Sequence, residues 1–238
     1  PAAVYRLALQ ILARIRHRHP KPMRVLPTAI EGRVAYEARP DHVNLQDGEW
    51  LLLARTRHQA RQLENMVREA GWLYTMHGKS SVNQHELQGI EAWVALQRGQ
   101  TIQPHQREAL AKCAKVAEPT EPQPHYAASD IGLMVDALRQ PWHAALTRIR
   151  PAQRLYYVAA RQRGEKLLSA PRIRIDTIHG SKGQQAANVL LLTDMTARIR
   201  RGFELEPDNE HRVFYVGATR ARENLFVIEP QTSGGYRV

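Results

Sequence analysis

The sequence predicts an α/β protein built on a parallel sheet flanked by helices, and three observations carry that prediction. Trp50-Leu51-Leu52-Leu53-Ala54 is a continuous apolar run, the mark of a parallel strand covered on both faces. Two further runs, 172–176 and 188–192, stand on either side of a polar turn, Thr177-Ile178-His179-Gly180-Ser181-Lys182-Gly183. A last apolar run, 225–228, follows a stretch with helical periodicity. Strands that alternate with helices point to an open, mostly parallel sheet.

Taken in order, Val4, Leu7, Ala8, Ile11 and Ile15 recur with a 3.6-residue period, so the first ~17 residues read as an amphipathic helix. Arg16-His17-Arg18-His19-Pro20 ends it, with cations where the helix dipole favours them and a proline as a stop. No carboxylate or cysteine cluster stands beside His17 and His19, so they read as a solvated helix end rather than metal ligands. Pro20, Pro22 and Pro27 mark a linker, and 34–38 alternates like a strand that Pro40 closes. After the 50–54 run come Arg55-Thr56-Arg57, then a helix carrying Leu63, Met66, Val67 and Ala70, a Gly71 cap and a short strand over 72–75. In such sheets ligands bind at the carboxyl ends of strands, which puts Arg55 and Thr56 on the functional edge. Gly78-Lys79-Ser80 has the look of a phosphate loop, but Leu73 stands where that loop needs its first glycine.

From 87 to 138 the sequence turns helical. Leu87, Ile90, Trp93 and Val94 share one face, and Leu133, Met134, Ala137 and Leu138 share another after an N-cap at Ser129. The Pro- and Glu-rich 118–124 reads as a loop between them, and 151–164 as a further helix with arginines on its polar side. Trp93 and Trp142 at helical positions read as core. Asp208 is placed to cap a helix over 209–221, and Thr232-Ser233-Gly234-Gly235 reads as a frayed tail.

The formal net charge of +11 over 238 residues, with arginine far ahead of lysine, points to a polyanionic partner, nucleic acid above all. No apolar run approaches the roughly 18 residues of a membrane span, so no membrane partner is expected. The single cysteine, Cys113, excludes a disulfide framework and fits a buried thiol in the cytoplasm. The chain starts at Pro1 rather than Met, as a piece of a longer polypeptide would.

Chemistry concentrates in two segments that this architecture brings to one sheet edge: the 177–183 turn and Gly217-Ala218-Thr219-Arg220-Ala221-Arg222. The glycines of the first let backbone approach a ligand closely, and Lys182 suits a phosphate. An arginine beside such a loop is equipped to stabilise charge on a transferring phosphoryl group. There is no phosphate-cradling loop, and no Asp-Glu pair on a strand to hold magnesium. These parts make half a nucleotide site.

These segments resemble the C-terminal half of UvrD/Rep-type superfamily 1 DNA helicases. The 177–183 turn is similar to that family's motif V, and Val213-Phe214-Tyr215-Val216-Gly217-Ala218-Thr219-Arg220-Ala221-Arg222-Glu223 to its long motif VI. Leu51-Leu52-Leu53-Ala54-Arg55-Thr56 resembles motif IVa, and the first 15 residues resemble the helix that follows motif IV. The resemblance is strong over roughly residues 1–80 and 165–230 and weak between.

It implies the second RecA-like (P-loop NTPase-type) domain, 2A, of an ATP-dependent DNA helicase that translocates 3′ to 5′. Residues 1–80 would be its first part, 81–165 a helical insertion with a reduced 2B-like region, 166–230 its second part and 231–238 a flexible tail. It further implies that Arg220 is the finger on the ATP γ-phosphate, with Gly183, Gln185, Lys182 and Thr219 beside the nucleotide. Gln184-Gln185 stands where the family has Leu-Glu, and an amide can still hydrogen-bond a ribose hydroxyl. Arg55, Thr56, Thr177 and His179 would touch single-stranded DNA. ATP and Mg2+ would be held mainly by an N-terminal RecA-like domain of the same polypeptide, so the isolated chain is expected to hydrolyse nothing. Two other classes remain open: a non-catalytic nucleic-acid-binding module, and the motor half of a recombination helicase–nuclease.

Overall fold

Strand after strand forms where apolar side chains run on both faces, and helices form where they recur on one. In the computed structural model, residues 1–18, 30–231 and 234–238 are described. The linker expected at Pro20, Pro22 and Pro27 lies outside them, as do His19, Thr232 and Ser233. The chain divides into two compact units. Pro1–Val67, Tyr74–Lys79 and Pro171–Val238 form the first; Arg68–Leu73 and Ser80–Ala170 form the second.

The first unit begins with helix α1 (Ala2–Ala13), which buries Val4, Leu7, Ala8 and Ile11. It is shorter than its periodicity suggests, though Ile15 beyond its end is still buried. Strand β1 (Arg33–Glu37) is half-exposed, whereas every residue of β2 (Trp50–Ala54) is buried. Helix α2 (Arg57–Glu69) opens on a reciprocal cap. Thr56 Oγ1 accepts the Gln59 N–H at 3.2 Å, and Gln59 Oε1 accepts the Thr56 N–H at 3.1 Å. Strand β3 (Tyr74–Met76) is joined to β4 (Lys79–Ser80) by the two-residue turn His77-Gly78. Both turn residues have positive φ, +48° and +77°, the geometry that matches strand twist in a tight hairpin. The phosphate-loop lookalike is therefore an edge hairpin.

Strands β5 (Ile173–Thr177), β6 (Ala186–Leu192) and β7 (Ala221–Ile228) complete a seven-stranded sheet in the order β1-β7-β6-β2-β5-β3-β4. Each pairing from β1 through β3 is parallel. On one face Leu51 and Leu53, Val189 and Leu191, and Leu225 and Val227 alternate into a single core. Val4, Leu7 and Ile11 of α1 join it, with Phe214 and Ala218 of the helix that precedes β7. Each such Leu or Val contributes about 1.5–3 kcal/mol.

The second unit holds α3 (Gln84–Gln97), α4 (Pro104–Cys113), the four-residue helices α5 (Val135–Leu138) and α6 (Trp142–Ala145), and α7 (Pro151–Gln162). Trp93 and Trp142 are core residues, as their spacing suggests. Gly89 of α3 lets α4 approach, for a Cβ there would stand 2.6 Å from Cys113 Sγ. Burial pushes the Cys113 thiol up to about 11.

Three expectations need correction. The helix expected after Ser129 is a single 3-10 turn over Ser129–Ile131 that Gly132, at φ +68°, brings to an end. Of the expected face, Met134 is 74% exposed, while Leu133, Ala137 and Leu138 are half-buried, the last two in the short α5. Asp208 does not cap its own helix. Pro207 takes the first helical position of α9 (Pro207–Ala218), following α8 (Ala197–Leu205), which the sequence reading left out. The Asp208 carboxylate instead accepts the N–H groups of Arg16 (3.0 Å) and His17 (2.9 Å) past the end of α1, and these bonds hold it below the usual carboxylate range. Finally, the C-terminus does not fray at Tyr236. That ring is buried, stacked on Phe214 with centroids 4.0 Å apart, because the core offers it an aromatic floor.

Candidate functional site

The 177–183 loop leaves the carboxyl end of β5 with two parallel neighbours, β2 and β3, beside it. Its fold is dictated locally. Thr177 Oγ1 accepts the Gly180 N–H at 3.0 Å, the Ser181 N–H bonds to Thr177 O at 3.0 Å, and the fully buried Ser181 hydroxyl donates to Ile178 O at 2.8 Å. Ile178 anchors the loop in the sheet core. His179 and Lys182 remain exposed. Gly183 closes the turn at φ +81°, a conformation other residues hold at a cost.

Helix α9 lies against this loop because Gly217 carries no side chain. A Cβ there would stand 2.9 Å from Leu191 Cδ1 and 3.5 Å from Ile178 Cδ1. At the helix end, Arg220 folds back. Its Nε donates to Val216 O at 3.0 Å, Nη1 to Gln184 O at 3.4 Å and Nη2 to Thr219 Oγ1 at 3.3 Å. The guanidinium thus touches both its own helix and the far arm of the loop.

Loop and helix together enclose a cavity of about 340 Å³ lined by Ile178, His179, Lys182, Arg212, Val213, Val216 and Arg220. Four of these seven can carry positive charge, and no carboxylate is among them. A set with this composition and apolar walls suits an anion with delocalised charge. It has no hard oxygen donors for Mg2+, and among the described residues no cluster of His, Cys, Asp and Glu could hold a metal.

The expected site residues divide. Lys182, His179 and Arg220 meet at this cavity. Thr219 is adjacent, its hydroxyl donating to Val216 O at 2.9 Å. Gln185 is exposed, and its carbonyl accepts from Arg174 Nη2 at 2.6 Å. Arg55 and Thr56, at the end of β2, do not line the cavity. Thr56 caps α2, and Arg55 makes a two-pronged ion pair with Glu210 of α9 at 2.7 and 2.8 Å. That bond holds the Arg55 guanidinium above its ordinary range. Sequence reasoning missed Arg212 and Glu210. Arg212 stands four and eight residues before Val216 and Arg220, a helical spacing that could have revealed it. Nothing in the sequence tied Glu210 to a residue 155 positions away.

Residues 142–232 match the UvrD-like helicase C-terminal domain. The matched stretch contains β5, β6, β7, α9, the 177–183 loop and Arg220. Over that stretch the chain is similar to the UvrD-like helicase C-terminal domain, and the largely parallel, helix-flanked sheet is consistent with a RecA-like architecture. No curated protein matches the chain in sequence.

Proposed function

We propose that the chain is the second RecA-like domain of a 3′–5′ ATP-dependent DNA helicase, completing an ATP site with Arg220 and binding single-stranded DNA. The observation that carries this reading is the cavity of His179, Lys182, Arg212 and Arg220, four cationic or ionisable donors with no carboxylate in the lining, of which Arg212 has a carboxylate at its outer side, Asp208 at 3.8 Å. Such a lining fits the phosphate tail of a nucleotide. ATP, when bound, supplies the phosphoryl group whose transfer to water drives the motor. This chain's part is electrostatic: Lys182 and Arg220 offset charge at the phosphate end, and Gly183 and the Gln185 amide stand toward the sugar. Mg2+ belongs to the N-terminal domain, since this lining has no ligand for it.

Arg220 is held by two backbone carbonyls and a hydroxyl, all neutral acceptors. A phosphate oxygen is a stronger acceptor than any of them, so closure of the two-domain cleft would draw the guanidinium out of this rest position. Because Nη1 rests on Gln184 O, the same movement releases the far arm of the loop whose near arm carries Thr177 and His179. This route couples nucleotide to DNA. Thr177, His179, Thr56 and Arg55 would contact the strand, Arg55 while keeping its bond to Glu210.

In the polypeptide that supplies the N-terminal domain, Arg220→Ala is expected to lower ATP turnover by on the order of 10³-fold or more while sparing nucleotide affinity. Steady-state hydrolysis with a parallel nucleotide titration checks it. A loss confined to DNA binding would overturn the assignment, and so would magnesium-dependent hydrolysis by the isolated 238-residue chain.

A further inference from the structure

The mechanism above leaves one buried carboxylate unused. Asp176, the residue before the loop, is 7% exposed. Its Oδ1 accepts the Thr177 N–H at 2.7 Å, and Gln184 Nε2 stands 3.5 Å from Oδ2. Gly180 at the loop tip rides so close that a Cβ on it would lie 2.1 Å from Oδ1. One side chain therefore touches the start, the middle and the end of the loop.

A further partner comes from outside it. His77 Nδ1 is 2.9 Å from Asp176 Oδ1 across 99 residues of sequence. A carboxylate oxygen accepts, so Nδ1 carries the hydrogen. His77 occupies the β3–β4 turn at φ +48°, the one non-glycine at positive φ among the described residues. Glycine or asparagine would hold such a turn at less cost. The hairpin's shape has no use for an imidazole. The contact with Asp176 does, and the His77 N–H bond to Ile175 O at 3.4 Å keeps the turn beside β5, where the ring can reach.

We infer that His77 and Asp176 form a brace that holds the 177–183 loop in its ligand-facing geometry. Both are positioning residues: they act on the loop's backbone and side chains, not on a ligand. The inference rests on the reading of this loop as the ligand-contacting element and adds what keeps it in place. A buried acceptor that bonds the loop's first amide and packs against its tip limits how far the loop can swing. The imidazole fixes that acceptor in turn.

The test uses the whole 238-residue chain with His77→Gly and His77→Asn. Glycine suits the positive φ, so His77→Gly removes the ring without straining the hairpin. Amide hydrogen exchange over 177–184 is expected to rise about tenfold in His77→Gly, with β2 and β6 amides and the thermal midpoint unchanged. His77→Asn, which tolerates the turn and offers a donor, should recover part of the protection. Affinity for a labelled oligo-dT strand should fall several-fold in His77→Gly and less in His77→Asn. Unchanged exchange in the loop would overturn the brace, as would a rise spread equally over β2 and β6. If the unmodified chain failed to bind oligo-dT, the DNA-contacting reading would fall, while the exchange measurement would still decide the brace.

Discussion

Two turns of this protein use almost the same residues to opposite ends. Gly78-Lys79-Ser80 turns an edge hairpin, with no atom within 4 Å of where a Gly78 side chain would begin and with Lys79 in solvent. Gly180-Ser181-Lys182-Gly183 leaves an interior strand, buries Ser181 completely and turns Lys182 to a cavity it shares with Arg220. Glycine serves backbone angle in the first turn; in the second, Gly183 does the same while Gly180 supplies space. Gly180 is needed because Asp176 fills the room a side chain would take. Glycine, serine and lysine do not make a cation-lined cavity by themselves. What makes one is the strand they follow and the groups that converge on it.

The comparison can be broken most forcefully at the anchor of α9. Glu210→Ala leaves the partly buried Arg55 without its partner, and the expected loss is about 3 kcal/mol of unfolding free energy in urea denaturation. Replacing both residues by methionine should restore most of it, because burying an unpaired charge, not losing the pair, is the larger cost. Next comes Gly180→Ala, expected to cost about 2 kcal/mol through collision with the Asp176 carboxylate. Gly78→Ala should cost about 1 kcal/mol, the penalty for a side chain at positive φ with free space around it. A larger effect at Gly78 than at Gly180 in the same denaturation series would reverse the account of the two turns.

The smallest expected effect is a pH slope. His211 of α9 is buried with Nδ1 2.8 Å from the Tyr236 hydroxyl, and burial, with Arg14 nearby, lowers its pKa below 6.5 against the opposing pull of Asp208. The folded state therefore binds the proton less readily than the unfolded chain. Stability should decline as pH falls below 6.5 and level off below the folded value. His211→Gln should remove that slope in thermal melts between pH 7 and 5, two values that bracket the reference pKa of about 6.5.

Much of the scaffold is legible in sequence because its signals are local. The 50–54 run coincides with β2, and the alternating stretch 172–176 and the largely apolar runs at 188–192 and 225–228 each overlap a strand. The segments around Lys182 and Arg220 can be singled out for the same reason, since a polar turn between buried strands is a conspicuous interruption. The errors arise where a local signal has more than one outlet. Ser129 is a good helix cap, but Gly132 three residues on stops the turn it starts. Asp208 is a good cap as well, yet backbone donors 191 and 192 residues away take its oxygens. Tyr236 reads as tail until Phe214 is known to face it.

By itself the sequence determined the α/β alternation, most of the strands and the two segments that meet at the cavity. Hydrophobic period and chain reversal act over a few residues, and those few residues are written consecutively. Tertiary structure alone decided that Arg55 is tied to Glu210, that Arg212 joins Lys182 at the cavity and that His77 reaches Asp176. These pairings depend on strand order in the sheet. The order β1-β7-β6-β2-β5-β3-β4 is set by how the apolar faces of the whole unit pack, a global minimum that no single stretch of the chain encodes.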